Sequence, residues 1–277
     1  MANLADIYAR HSSYQDKMVA TFEDHLREIV RRAQAHVIGE LQKRLSITDG
    51  IIDATPANMR LLRKAGDMFM AEMKAAGYDR LVTAFVGEFH GTLPFLQETI
   101  EMLGEQVQQK WPSLDFTQKD LNLLAGVQVN VAVSLEDAIS SVAGAAVTRG
   151  LFGVAALPFK DLVGMLTEKF ETSIGKARTI ADTGMSCYFA TANDRAYQII
   201  AKDVPELEMR FRYSGPLDLL CRPFCMKLML ANKSYTRGQI DAMDNGSLPN
   251  VFITRGSWNC RHSWVLDISD AEAEQAS

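Results

Sequence analysis

Along most of the first 200 residues, apolar side chains recur at three- and four-residue steps. No other feature restricts the fold as much, because that spacing puts them on one stripe of an α-helix. Leu4, Ile7, Met18, Phe22, Leu26, Ile29, Ala33, Val37, Leu41 and Leu45 trace one long helix, which residues 46–53 interrupt. Thr55 before Pro56 supplies a cap and a first-turn proline, and Met59, Leu62, Ala65, Phe69 and Met73 continue on one face until Gly77 closes it. A further stripe runs from Leu81 to Leu103, with Pro94 kinking or dividing it. Residues 110–115 read as a loop, and Thr117 with Asp120 three positions on reads as a capping box. Further helices are expected over residues 135–157, 160–170 and 174–200.

The pattern changes after Ile200. Residues 207–213 alternate apolar and polar and predict a strand, which Ser214-Gly215-Pro216 ends. A helix over 224–230, a capped segment from Thr236, a turn at Asn245-Gly246 and short apolar pieces at Val251 and Ser263 follow. The expected fold is mainly α. A multi-helix region over residues 1–171 precedes a small α+β module over 172–268, and residues 269–277 form a frayed acidic tail.

At 277 residues and 47% hydrophobic, the chain can bury at least one sizeable core. Its formal charge of -5 argues against a surface that coats nucleic acid all over. The charge is uneven. Between Met209 and Trp264, eight Lys and Arg stand against three Asp, a formal +5 that leaves -10 for the remainder. If Arg210, Arg212, Arg222, Lys227, Lys233, Arg237, Arg255 and Arg261 share a face, they would meet DNA through its phosphates.

No secretory signal is visible in the first residues, so folding is expected in the cytoplasm where the chain is made. Residues 138–159 are rich in small and apolar side chains, but Arg149 sits at the centre of the run and Pro158 near its end. A charge there costs about 2.5 kcal/mol or more in a spanning helix. The run is read as a buried helix or helical hairpin, and a membrane is not an expected partner.

Catalytic signatures are missing. Ile174-Gly175-Lys176-Ala177 fails as a phosphate loop, because Phe170 and Ala177 stand where Gly and Ser or Thr are needed. No nucleophile elbow or zinc-protease motif is present. His90 near Glu88, and His11, His25 and His36 on the long helix, read as packing or surface residues. The chain is not expected to be an enzyme.

One constellation does stand out. Cys221 and Cys225 are four apart, and Cys260 and His262 are two apart, on one side of an extended segment. Two close pairs separated by a long insertion suit a structural zinc site, since thiolate and imidazole favour tetrahedral zinc. Two other readings stay open: small buried hydrophobes beside an interior histidine, or a Cys/His nucleophile pair. Whatever occupies their centre, the four are expected to converge. Trp258 and Trp264 are expected in the same module's core.

These residues also carry a resemblance. Tyr213-Ser-Gly-Pro-Leu-Asp218, Cys221-Arg-Pro-Phe-Cys225, Tyr235-Thr-Arg-Gly-Gln-Ile240 and Gly256-Ser-Trp-Asn-Cys-Arg-His-Ser-Trp264 follow one another in an order that resembles the C-terminal domain of tailed-phage minor head proteins, the family typified by the F protein of phage Mu. The stretch from Lys176 to Asn193 resembles that family's entry helix, and the likeness covers about a third of the chain, residues 172–268. It implies a low-copy virion component that joins the head during assembly near the portal. The portal, other head proteins and packaged DNA are then the expected partners, and the many helical faces are compatible with an oligomer. Alternatives are a helical ejection or connector protein that contacts membrane, and an effector enzyme delivered with the genome.

Overall fold

The computed structural model describes residues 4–106, 111, 114–153, 157–205 and 208–267, with residues 5 and 141–153 described through the backbone alone. The fold is mainly α, with two three-stranded sheets among the described residues. Two compact units interleave in sequence: Met1–Asp16, Glu88–Val129 and Asp182–Ser277 form one, and Lys17–Gly87 with Asn130–Ala181 form the other. This partition differs from a linear division at residue 171, because three long helices each feed both units: α1 (Leu4–Arg44), α6 (Gln118–Gly153) and α7 (Phe159–Asp203).

In the second unit, α1 buries Phe22, Leu26, Ala33, Val37 and Leu41 of the predicted stripe, while Met18 and Ile29 are half-buried and the neighbouring Val19 and Val30 face the core instead. The interruption after it is a hairpin of β1 (Ile47–Thr48) and β2 (Ile51–Ile52). Asp49 and Gly50 make its turn with φ of 51 and 77°, the conformation that two-residue hairpin turns favour. β3 (Leu157–Pro158) pairs with β2, Ile52 facing Leu157. Thr55 caps α2 (Pro56–Arg63) by accepting from the Asn58 amide at 3.2 Å. The buried Asn58 amide group donates to the Ser46 and Asp53 carbonyls, both at 2.8 Å, and accepts from Ser46 N–H at 3.0 Å. Every hydrogen bond lost to water on its burial is thereby replaced. α3 (Ala65–Ala75) and α4 (Tyr78–Gly87) follow, separated at Gly77 with φ 100°. Phe69 stacks on Phe170 and Phe22 meets Phe85, and each such ring contributes about 1.5–3 kcal/mol through burial.

In the first unit, a 3-10 turn (Glu88–Thr92) separates α4 from α5 (Leu93–Gln106), so Pro94 stands in a first turn where its missing N–H costs nothing. Asp120 accepts from the Thr117 amide and hydroxyl, and its other oxygen accepts from Arg195 at 2.7 Å. The carboxylate therefore caps α6 and ties it to α7.

The helix breaks expected near 135 and near 171–173 are absent, whereas within 138–159 α6 ends at Gly153 and β3 begins at Leu157. α6 runs unbroken through residue 135 to Gly153, and α7 runs unbroken through Glu171-Thr172-Ser173. No proline interrupts either helix, and the buried Ser173 hydroxyl is satisfied by the Phe170 carbonyl at 2.7 Å. Ala138 and Ile139 are buried, while the side chains of 141–156 lie outside the described residues, as does the acidic tail over 268–277.

The α+β part lies within this first unit. β4 (Arg210–Ser214) is the central strand, antiparallel to both β5 (Ser234–Thr236) and β6 (Ser263–Asp267). Alternation puts Phe211 and Tyr213 of β4, and Trp264 and Leu266 of β6, on the buried face. α8 (Pro223–Ala231), α9 (Arg237–Asp241, opened by a capping box from Thr236 and Gln239) and α10 (Val251–Thr254) fill the connections. Val251, expected only as an apolar piece, opens a helical turn. Trp264 is buried and its indole N–H donates to the Val251 carbonyl at 3.2 Å. Trp258 is 42% exposed, contrary to expectation, because it sits on a tight turn between residues of left-handed backbone, Ser257 and Asn259.

Candidate metal centre

Three structural pieces bring the Cys/His residues together. Asp218 closes a turn by accepting from the Leu220 amide at 2.9 Å on its side chain and from the Cys221 amide at 3.0 Å on its carbonyl. The turn delivers the chain to Pro223, whose fixed φ opens α8. Cys225 and Leu228, three apart, then share the buried face of that helix. The second piece is the turn before Cys260. Arg255, Ser257 and Asn259 adopt φ of 52, 78 and 51°, a conformation that costs non-glycine residues of order 1 kcal/mol or more each. Its anchors are the Asn259 amide donating to Thr183 Oγ1 and Arg222 donating to the Gly256 carbonyl, both at 3.0 Å. The third is His262 at the entry to β6, beside Tyr213 on β4.

The Cys225 and Cys260 sulfurs are 3.9 Å apart, and Cys260 Sγ is 3.8 Å from His262 Nδ1. Sulfur ligands of one tetrahedral zinc stand about 3.8 Å apart when each bond is about 2.3 Å. Cys225, Cys260 and His262 are all buried, their ligand atoms lie within 4.8 Å of one another, and together they could hold a metal ion. His262 Nε2 is 2.9 Å from the Pro216 carbonyl, which can only accept, so Nε2 bears the proton and Nδ1 presents its lone pair to the cluster. Orientation of a ligating imidazole by a carbonyl on its other nitrogen is a usual supporting arrangement at metal sites. Cys221, also buried, has its sulfur 3.7 Å from Nε2, at the opposite edge of the ring.

The surroundings are built to receive sulfur charge. The Tyr213 hydroxyl lies 3.4 Å from Cys225 Sγ and 3.3 Å from Cys260 Sγ, and the Gly256 amide donates to Cys260 Sγ at 3.2 Å. Burial, then the neighbouring Cys260, push the Tyr213 phenol far up, so it stays a neutral donor. The hydrogen bond from Cys225, then the charge of Arg255 and the Tyr213 hydroxyl, hold the Cys260 thiol well below the usual thiol range despite burial. The same Cys225–Cys260 bond, with burial, raises Cys225.

Two glycines leave the room. A Cβ on Gly256 would lie 2.1 Å from Cys225 Sγ, and one on Gly215 would lie 2.6 Å from His262 Cδ2. Tyr213, Gly215 and Gly256 were inside the segments that carry the family resemblance, yet only the geometry gives them a role. Their signal in the sequence was proximity to the Cys and His residues and nothing more.

The eight cations named from the sequence do not behave alike. Arg210 pairs with Glu208, Arg212 with Asp267, Arg237 with Asp194 and Asp241, and Arg261 with Asp218. Arg222 donates to the Gly256 carbonyl, while Lys227 and Lys233 are exposed. Arg255 is only 4% exposed. Its place among DNA-contact candidates is therefore corrected, since a buried guanidinium cannot reach a phosphate backbone.

Three other histidines are packed or paired, and His25 is exposed. His11 stacks on Phe189 with centroids 3.8 Å apart, His90 Nδ1 is 2.7 Å from the Tyr188 hydroxyl, and His36 is 3.3 Å from Glu72. Compared with protein-family models, with curated proteins and with solved structures, the chain matches none of them.

Proposed function

We propose that this chain is a structural minor head protein of a tailed bacteriophage, acting in head assembly near the portal, with no catalytic activity of its own and with a zinc ion holding its C-terminal module. The observation that carries the reading is the buried cluster of Cys225, Cys260 and His262, which lies at the segments that resemble the minor head family and has the spacing of a metal centre. Zinc suits two or three thiolates and an imidazole better than hard-ligand metals do. Cys221 is the fourth ligand in this reading, although its sulfur stands 3.7 Å from the far ring nitrogen of His262 and outside the three-residue cluster, so it must move to bind. The portal and neighbouring head proteins are the partners, and packaged DNA meets the module through Arg222, Lys227 and Lys233. Mass spectrometry of purified particles made by the genome that encodes the chain tests the assignment. Peptides at low copy in intact heads are expected, and their absence from such particles would overturn it.

A second reading is favoured by one observation. Gln118–Ser140 is long and apolar enough to cross a membrane by length and composition, and 28% of its apolar window is buried. Leu121, Leu123, Val129 and Val133 on it are exposed. A connector or ejection role that brings this helix to a bilayer would show as co-flotation of the full chain with phosphatidylcholine vesicles, and as its loss in Val129→Asp. A chain that stays with the soluble fraction removes the reading.

A further inference from the structure

Arg255 is an anomaly in the fold. Its residue is 4% exposed, its backbone takes φ 52° and ψ -117°, and none of the ion pairs among the described residues involves it. Its guanidinium meets neutral groups, donating to the carbonyls of Ile253 at 3.1 Å and His262 at 3.5 Å and hydrogen-bonding the Cys187 thiol. The small cavity it lines is otherwise walled by Phe189, Ala190, Asn193, Phe252, Ser263 and Trp264, none of them acidic. Cys187, a thiol near it, is raised by burial and so stays neutral. A buried cation without an anion costs several kcal/mol, so the fold must place negative charge within reach.

The cluster is where that charge can come from. The backbone after Arg255 wraps Cys260 directly, through the Gly256 amide on its sulfur, and Arg255 holds the carbonyl of the ligand His262. The ligand set decides the sign. A divalent ion with two thiolates, a neutral imidazole and water is neutral overall, whereas with a third thiolate it carries one negative charge. Only the second leaves something for Arg255 to balance.

We infer that Arg255 is the buried counter-cation of an anionic centre with three thiolates, which makes Cys221, not water, the fourth ligand. The inference rests on the proposed metal centre and specifies its charge and closure: four protein ligands, no open position, hence a structural site. Arg255 acts as a positioning residue, touching the ligands' backbone and field, not the ion.

The test is a double-mutant cycle on the full chain, reading zinc dissociation constants by competition with a chromophoric chelator. Arg255→Gln is expected to weaken zinc by about ten-fold or more, and Arg255→Lys, which keeps the charge, to stay within about three-fold. In a Cys221→Ser background the centre is neutral, so Arg255→Gln should there cost little. Equal losses in both backgrounds would overturn the inference while leaving the metal centre standing. Should Arg255→Gln fail to fold, Arg255→Lys alone still decides, since a ten-fold loss there shows that charge is not what Arg255 supplies. Wild-type chain that takes up no zinc overturns the metal centre and this inference together.

Discussion

The rings of Tyr213 and His262 stack with centroids 5.2 Å apart and planes 6° from parallel, joining the central strand to the residue that enters β6. The same tyrosine's hydroxyl lies against both Cys225 and Cys260. One side chain thus fixes the imidazole's plane and sets its single O–H between the two sulfurs. Tyr213→Phe keeps the stack and removes the donor. It is expected to leave the fold intact and weaken metal retention by about 10- to 100-fold, the usual cost of losing a supporting hydrogen bond at such sites. Chelator competition on both proteins measures it, and unchanged retention would show that the hydroxyl does not act on the sulfurs.

Gly256 is required by space. A methyl there would sit 2.1 Å from Cys225 Sγ, and that sulfur could retreat only by turning away from Cys260 or by moving α8. Gly256→Ala is expected to destabilise by about 1–3 kcal/mol, the range for overpacking a filled interior. Thermal unfolding followed by circular dichroism reads the loss. A melting temperature equal to wild type would mean the turn before Cys260 yields more easily than its anchors imply.

The two tryptophans should separate cleanly. Trp264→Ala removes a buried indole and is expected to cost about 3–5 kcal/mol. Trp258→Ala removes one that is 42% exposed and is expected to cost under about 1 kcal/mol. Urea unfolding of both variants compares them, and similar losses would contradict the outward placement of Trp258.

His11 gives the chain an acid-sensitive point. Burial, then the charge of Arg255, hold its pKa at about 4, below the ordinary 6.5, so the folded form keeps the ring neutral against Phe189. Because the folded value lies below the unfolded one, its contribution is full above pH ~6.5 and falls away as pH drops toward 4. The whole span is worth about 3 kcal/mol at roughly 1.4 kcal/mol per pH unit. His11→Gln cannot take the charge, so its stability should fall less than wild type between pH 7 and pH 4.5. Parallel falls in the two proteins would rule His11 out as the cause.

The helical stripe, the Thr55 and Thr117 caps, and the Thr236 capping box were legible in the sequence because each depends on residues within four positions of one another. The central strand was legible too, since period-two alternation is local. The unbroken course of α7 was not, because Thr172-Ser173 has weak helix preference and packing overrides it. The Arg195 partner of Asp120, 75 residues away, leaves no local trace. At the site, Cys225, Cys260 and His262 announced themselves by residue type and spacing. Arg255 was counted as a surface cation like its neighbours, because burial and a left-handed backbone are properties of the turn it closes and not of its sequence.

If the Cys/His cluster holds a metal, elemental analysis of the full chain, purified without added metal or chelator, will find it there. One zinc per chain is expected, with Cys225→Ser and Cys260→Ser each losing it and melting at lower temperature, because binding free energy at such a site is folding free energy. Clearly substoichiometric zinc in wild type, with melting unchanged by a chelator, would contradict the claim and return the three thiols to the role of buried core residues.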